Sequence, residues 1–292
     1  MTDLDTRTLN VPGATLRYDI RGDLDHGATE HPVLLMAGCP MDASGFATLA
    51  TYFADRPVVT YDPRGTGRSV RTDNTTEIAP EEHAEDLHQL IDALGVGAVD
   101  LFASSGGAVN GLALVTRHPE QVRTFVGHEP PLLDVLPDRA QALAANEDIY
   151  ATYQRSGTGP AMAKFIAVTS YIGPLPETYA DLPDPNPAEF GLSTADDGSR
   201  EDPLLGQNIR RCAGYQPDLD ALVRASTRIV IAAGKESEGQ LTARASATLA
   251  KLLGTELAVF PSHHAGFLGG EFGTYGDPEE FATALHQALS IR

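Results

Sequence analysis

Short apolar runs recur along this chain at intervals that helical stretches fill. Residues 32–37, 57–61, 98–103, 122–127, 228–233 and 256–260 are dominated by Val, Leu, Ile, Ala and Phe, as strands buried on both faces should be. Between them the pattern turns helical at about 43–54, 81–95, 106–118, 240–253 and 278–290. Ala84, Leu87, Leu90, Ile91 and Leu94 lie at helical spacing and stop at Gly95; Phe281, Leu285 and Leu289 mark the last helix. Residues 8–11 and 15–21 flank the turn Pro12-Gly13 and predict an antiparallel hairpin at a sheet edge. Alternation of this kind specifies an α/β fold: a mostly parallel, doubly wound sheet of about eight strands with right-handed crossovers.

One stretch breaks the rhythm. From about Pro130 to Asp220 no strand pattern occurs, and Pro174, Pro176, Pro183, Pro185, Pro187 and Pro203 fall among acidic and small polar residues. Residues 138–167 read as helical, with Ile149, Tyr150, Tyr153, Met162, Phe165 and Ile166 available either to line a pocket or to pack the segment onto the body. A polar insertion of this length inside a compact enzyme predicts a lid of helices and loops after the sixth strand. The expected division is a core of 1–130 and 221–292 with a lid of 131–220.

Composition narrows the partners. With 292 residues and 42% hydrophobic side chains the chain can bury one large core. Forty acidic residues against 21 basic ones give a net charge of −19, which disfavours nucleic acid and anionic membranes and leaves a small-molecule substrate as the expected partner. No apolar run approaches the roughly 18 residues of a membrane span, and Met1-Thr2-Asp3-Leu4-Asp5 is the opposite of a basic signal-peptide start. Two cysteines, Cys39 and Cys212, supply neither a disulfide framework nor a metal spacing, so a cytoplasmic location with no metal and no cofactor is expected. The oligomeric state stays open, a homodimer included.

Candidate chemistry begins where the strand at 98–103 runs into Ser104-Ser105-Gly106-Gly107 and then a helix. A serine on so sharp a strand-to-helix turn has strained backbone angles, and the two chain segments pass so closely that the positions two before and two after it must be tiny. Here they are Ala103 and Gly107. The turn exposes the Ser105 hydroxyl above the sheet, and the Gly106 amide at the helix N-terminus points toward the place where an oxyanion would develop.

Three further motifs accompany this elbow in order: Leu34-Leu35-Met36-Ala37-Gly38-Cys39-Pro40, Asp62-Pro63-Arg64-Gly65-Thr66-Gly67-Arg68-Ser69, and Phe260-Pro261-Ser262-His263-His264-Ala265-Gly266-Phe267. Together the four resemble the α/β-hydrolase-fold superfamily over nearly the whole chain. The resemblance implies a serine hydrolase acting through an acyl-enzyme on a small ester, lactone or thioester, with the Cys39 amide as second oxyanion donor beside Gly106. It implies a structural role for Asp62 and Arg64, bracing the loops below the site. It places the base in the last motif, where His264 fits the family spacing and His263 reads as a loop residue.

The customary acid slot, after the strand at 228–233, holds Ser237; Glu236 and Glu238 are its neighbours. One subgroup of haloalkane dehalogenases instead carries a Glu seven residues after a strand-opening Val, and Val122 to Glu129 reproduces that spacing. Glu129 is therefore the first candidate for the acid and Glu236 the alternative. His128 and the other histidines, His83 and His88 among them, read as packing or surface residues. Ala37, Ala103 and Ser237 depart from the family pattern. They keep a catalytically silent small-molecule receptor in view, and the resemblance itself leaves a second alternative, a non-hydrolytic enzyme of this fold (haloperoxidase or perhydrolase, lyase or cyclase).

Overall fold

The computed structural model describes residues 4–24 and 31–290; the opening Met1-Thr2-Asp3 lies outside them. Strands β1 (Leu4–Val11) and β2 (Ala14–Arg21) form the expected antiparallel hairpin. Gly13 turns the chain at φ +76°, a conformation glycine adopts without steric cost. β2 lies antiparallel to β4 (Val58–Asp62), and beyond it every neighbour is parallel: β3 (Leu34–Ala37), β6 (Val99–Ser104), β7 (Val122–His128), β8 (Arg228–Gly234) and β9 (Ala258–Phe260) follow in that spatial order. A ninth strand, β5 (Val70–Arg71), pairs with Ala14 and Thr15. Two residues carry no periodicity, so the sequence pattern misses it. Its presence makes the strand before the long insertion the seventh in chain order instead of the sixth.

Side-chain alternation divides the core between the two faces of the sheet. Leu35, Leu101 and Ala103 pack with Ala84, Leu87 and Leu90 of α1 (Pro80–Leu94) and with Val109, Leu112 and Ala113 of α2 (Gly106–Arg117). Leu34, Met36 and Phe102 face the other way, onto Phe46, Leu49, Phe53 and the terminal helix (Pro278–Ser290). The helix expected over 43–54 is shorter: a 3₁₀ turn at Ala43–Phe46 and one α turn at Ala47–Ala50. The break falls at Phe46, whose φ of −104° and ψ of 6° leave the helical region while its ring goes into the core.

After β7 the chain leaves the sheet and returns to it only at β8. The excursion carries α3 (Arg139–Ser156) and α4 (Thr158–Thr169), then mostly exposed turns, a π-helical segment at Pro203–Asn208 and a short helix at Ile209–Ala213. Ile149 and Tyr153 of α3 are buried, so part of the apolar stripe serves packing. The excursion is tied to α5 (Leu241–Leu252), where the Arg244 guanidinium pairs with Asp138 and donates 2.9 Å to the Gly173 carbonyl. Among the described residues no helix is long and apolar enough to cross a membrane.

Candidate active site

Parallel pairing sets Ala103 beside Ala37 at the ends of β6 and β3. Two residues on, Ser105 stands at φ 57° and ψ −129°, and its amide donates 2.9 Å to the His128 carbonyl on β7. That backbone is strained for any L-residue, and burial of its neighbours holds it in place. A Cβ on Gly106 would come within 2.5 Å of the Cys39 carbonyl oxygen, and one on Gly107 within 2.3 Å of the Ala37 carbonyl oxygen. Glycine at both positions is thus what lets α2 start directly against the β3 loop. The Ser105 side chain makes no cap bond to α2, whose Ala108 amide instead donates 2.9 Å to the Ser105 carbonyl.

The histidine loop approaches from β9. The Nδ1 of His264 lies 2.6 Å from Oε2 of Glu129, immediately past β7. Glu129 is fully buried, with φ +49°, and its carboxylate accepts two more hydrogen bonds: 2.8 Å from the Gly234 amide to Oε1 and 2.6 Å from the Thr242 hydroxyl to Oε2. Burial by itself would raise this carboxyl's pKa. The hydrogen bonds from His264 and Thr242 outweigh burial and hold it well below the usual carboxylate range. An ionised Oε2 only accepts, so His264 donates to it from Nδ1.

The alternative acid is elsewhere. Glu236 is exposed on the 3₁₀ turn Lys235–Ser237, where its amide donates 2.8 Å to the Ser262 carbonyl, and the carboxylate that meets His264 Nδ1 is that of Glu129. His263 also stays out of the cluster, with Nε2 3.2 Å from the Tyr275 carbonyl and Nδ1 accepting from the Ala265 amide at 3.1 Å. His128 is packing: its ring lies among Phe102, Phe260, Phe267 and Phe281, and burial pushes its pKa down to about 4, so it is neutral.

Cys39 and Gly106, the two expected oxyanion donors, sit on the wall that Ser105 and His264 share, around one cavity of about 320 Å³. Ile149, Phe165, Val168 and Leu204 from the excursion form its apolar far side. Burial pushes the Cys39 thiol up to about 12, which keeps it protonated. Its sulfur lies 3.6 Å from His83 Nε2 and 3.5 Å from Asn208 Oδ1, and these two bond each other at 2.8 Å. His83 is therefore no surface residue. It ties α1 to the π-helical segment behind the cavity, and burial lowers its pKa to about 4.

The second motif braces this floor as expected. Asp62 accepts from the Ala43 amide at 3.0 Å and from the Arg68 amide and Nε at 2.7 Å, while Arg64 forks onto Asp86 at 2.6 and 2.7 Å. Thr242 and Asn208 escape sequence reasoning altogether, because a single threonine at a helix start or an asparagine in an irregular insertion carries no pattern. Among the described residues no group of three or more His, Cys, Asp or Glu side chains could hold a metal ion.

Comparison with known proteins agrees with this fold. Residues 31–167 match the model of the alpha/beta hydrolase fold family. YraK, an uncharacterized hydrolase of Bacillus subtilis, is 31% identical over 289 residues, spanning 97% of this chain and 95% of that protein. Among solved structures, the alpha/beta hydrolase MGS-M2 from a Medee basin deep-sea metagenome library superposes with a TM-score of 0.69 at 15% identity, covering 98% of each chain. A hydrolase from Pseudomonas aeruginosa superposes with a TM-score of 0.65 at 20% identity, covering 98% of this chain and 99% of that one. With a family model matched over residues 31–167 and a hydrolase relative 31% identical over almost the full length of both chains, the chain belongs to the α/β-hydrolase fold family.

Proposed function

We propose that this α/β hydrolase is a serine hydrolase of small, apolar acyl substrates, working through Ser105, His264 and Glu129, with residues 131–220 as its lid. The observation that carries the reading is the 2.6 Å contact of His264 Nδ1 with Glu129, made by a histidine that opens into the same apolar cavity as the strained Ser105. Ser105 Oγ attacks the carbonyl carbon as its proton passes to His264 Nε2, and the imidazolium is stabilised by the Glu129 carboxylate across Nδ1. The oxyanion accepts from the Cys39 and Gly106 amides. The C–O or C–S bond then breaks as His264 returns the proton to the leaving group, and a water molecule deprotonated by His264 releases the acyl group from Ser105. The protonated Cys39 thiol takes no part; its backbone does.

A fluorophosphonate tests this directly. Intact-mass measurement is expected to show one covalent adduct, mapped to the peptide containing Ser105. No adduct on folded protein, or one mapped elsewhere, would remove Ser105 from the nucleophile's role.

Thr242 supplies a second, finer test. Valine in its place keeps the shape but deletes the donor to Oε2, and a hydrogen bond to a charged group is worth about 1.5–3 kcal/mol. Thr242→Val is expected to lower kcat about tenfold with KM little changed, and Thr242→Ser to restore it, as read by steady-state kinetics on a chromogenic acetate ester. A variant with unaltered kcat would mean that Gly234 and His264 suffice to hold Glu129.

A further inference from the structure

Adjoining the catalytic cavity is a second one, of about 580 Å³, lined by α3, α4 and the turns at 176–185 and open to solvent on one side. Ala144, Ala145 and Ala167 leave it open along the helices, and Lys164, held 2.5 Å from Asp148 and 2.8 Å from Asp184, stands at its polar side. The two cavities share two lining residues, Ile149 of α3 and Val168 of α4. Both are nearly closed to solvent, at 2% and 6% exposure, and each borders both the apolar inner space and the outer one.

We propose that Ile149 and Val168 form the partition between these two spaces and set the limit on the length of the acyl chain. A linear chain anchored at Ser105 fills the inner cavity from the oxyanion wall toward α3 and α4, and there meets two branched side chains packed against each other's helices. A longer chain must displace them or fold back. With alanine at both positions the inner space joins the outer cavity, whose alanine-lined helical wall accepts further methylenes and whose charged side keeps the chain end near water. The inference deepens the serine-hydrolase reading and rests on it for the anchor point, while the partition itself is a property of the lid.

The test compares the natural protein with the Ile149→Ala/Val168→Ala variant. Rates of adduct formation are measured with linear alkyl fluorophosphonates from ethyl to dodecyl, and affinities for linear carboxylates of matching lengths are measured by titration calorimetry on Ser105→Ala forms of both proteins. The natural protein is expected to show a drop in rate and affinity at one chain length. In the double variant the drop moves to longer chains, with the first excluded chain gaining about tenfold or more relative to the ethyl probe on the same protein. The same cutoff in both proteins would overturn the proposal. If no fluorophosphonate reacts but the carboxylate series shifts, the partition stands and the serine reading falls; if neither series shifts, the partition falls. Should circular dichroism show the double variant unfolded, Ile149→Val/Val168→Ala is measured in its place, with a smaller shift in the same direction expected and an unmoved cutoff counting against the proposal.

Discussion

Replacing Ser105 with alanine is expected to lower kcat on short-chain p-nitrophenyl esters by about a millionfold, the loss that follows removal of the nucleophile from an acyl-transfer triad. The expected fold cost is small. Alanine occupies the same φ of 57° no worse than serine, the hydroxyl opens into the cavity, and the Ser105 amide keeps its 2.9 Å bond to the His128 carbonyl. What survives is the rate from substrate binding and the oxyanion donors alone, so KM should move little. The nearest competitor for the nucleophile's role is the Cys39 thiol on the same cavity wall. Burial pushes it up to about 12, so it stays protonated and inert at neutral pH. Cys39→Ala, which leaves the backbone amide in place, is accordingly expected to retain activity within a few fold. Steady-state kinetics and thermal melts on both variants decide the matter. A Ser105→Ala enzyme within tenfold of the natural one, or a Cys39→Ala enzyme that is dead, would relocate the chemistry.

Much of this arrangement was legible because its causes are local. The elbow reads from Ala103, Gly106 and Gly107 since the contact each glycine avoids, with the Cys39 and Ala37 carbonyls, is a steric fact of two segments ending side by side. Strands β3, β4, β6 and β7 read from their unbroken apolar runs and are almost wholly buried, whereas β9 carries such a run at the sheet edge with Val259 64% exposed. Glu129 was marked only through the resemblance, by the seven-residue spacing from Val122 that one dehalogenase subgroup shows, and its carboxylate lies 2.6 Å from His264 Nδ1. Other features depend on partners far away in sequence. His83 looks like any helical histidine until Asn208, 125 residues later, bonds its ring, and Thr242 meets Glu129 across 113 residues. Residues 43–54 carry a helical pattern, yet burying Phe46 in the lower core takes its backbone out of the helical region. The two-residue strand β5 is dictated by its pairing with β2 and not by its own side chains.

Glu129→Gln should lower kcat by about four orders of magnitude with KM nearly unchanged, the behaviour of a triad whose imidazole loses its orienting carboxylate. Three donors converge on Glu129 now: the Gly234 amide, the Thr242 hydroxyl and His264 Nδ1. A glutamine offers one acceptor oxygen and an NH₂ group. Whichever way the amide is turned, a donor meets a donor inside a fully buried site, and the least costly escape is for His264 to move its proton to Nε2. That tautomer cannot take the proton of Ser105. Glu236→Gln, altering an exposed carboxylate, should leave kcat within twofold or so. The pH dependence of stability should change as well. A carboxyl held below its unfolded value of about 4.5 contributes stability that is fully present above that pH and is lost as the pH falls through it toward the native value. Melting temperatures of the natural protein should therefore fall more steeply between about pH 5 and pH 3 than those of Glu129→Gln. If Glu236→Gln were the inactive variant and Glu129→Gln kept both its activity and the natural acid slope, the acid would lie on the turn after β8 and the buried glutamate would be a structural strut.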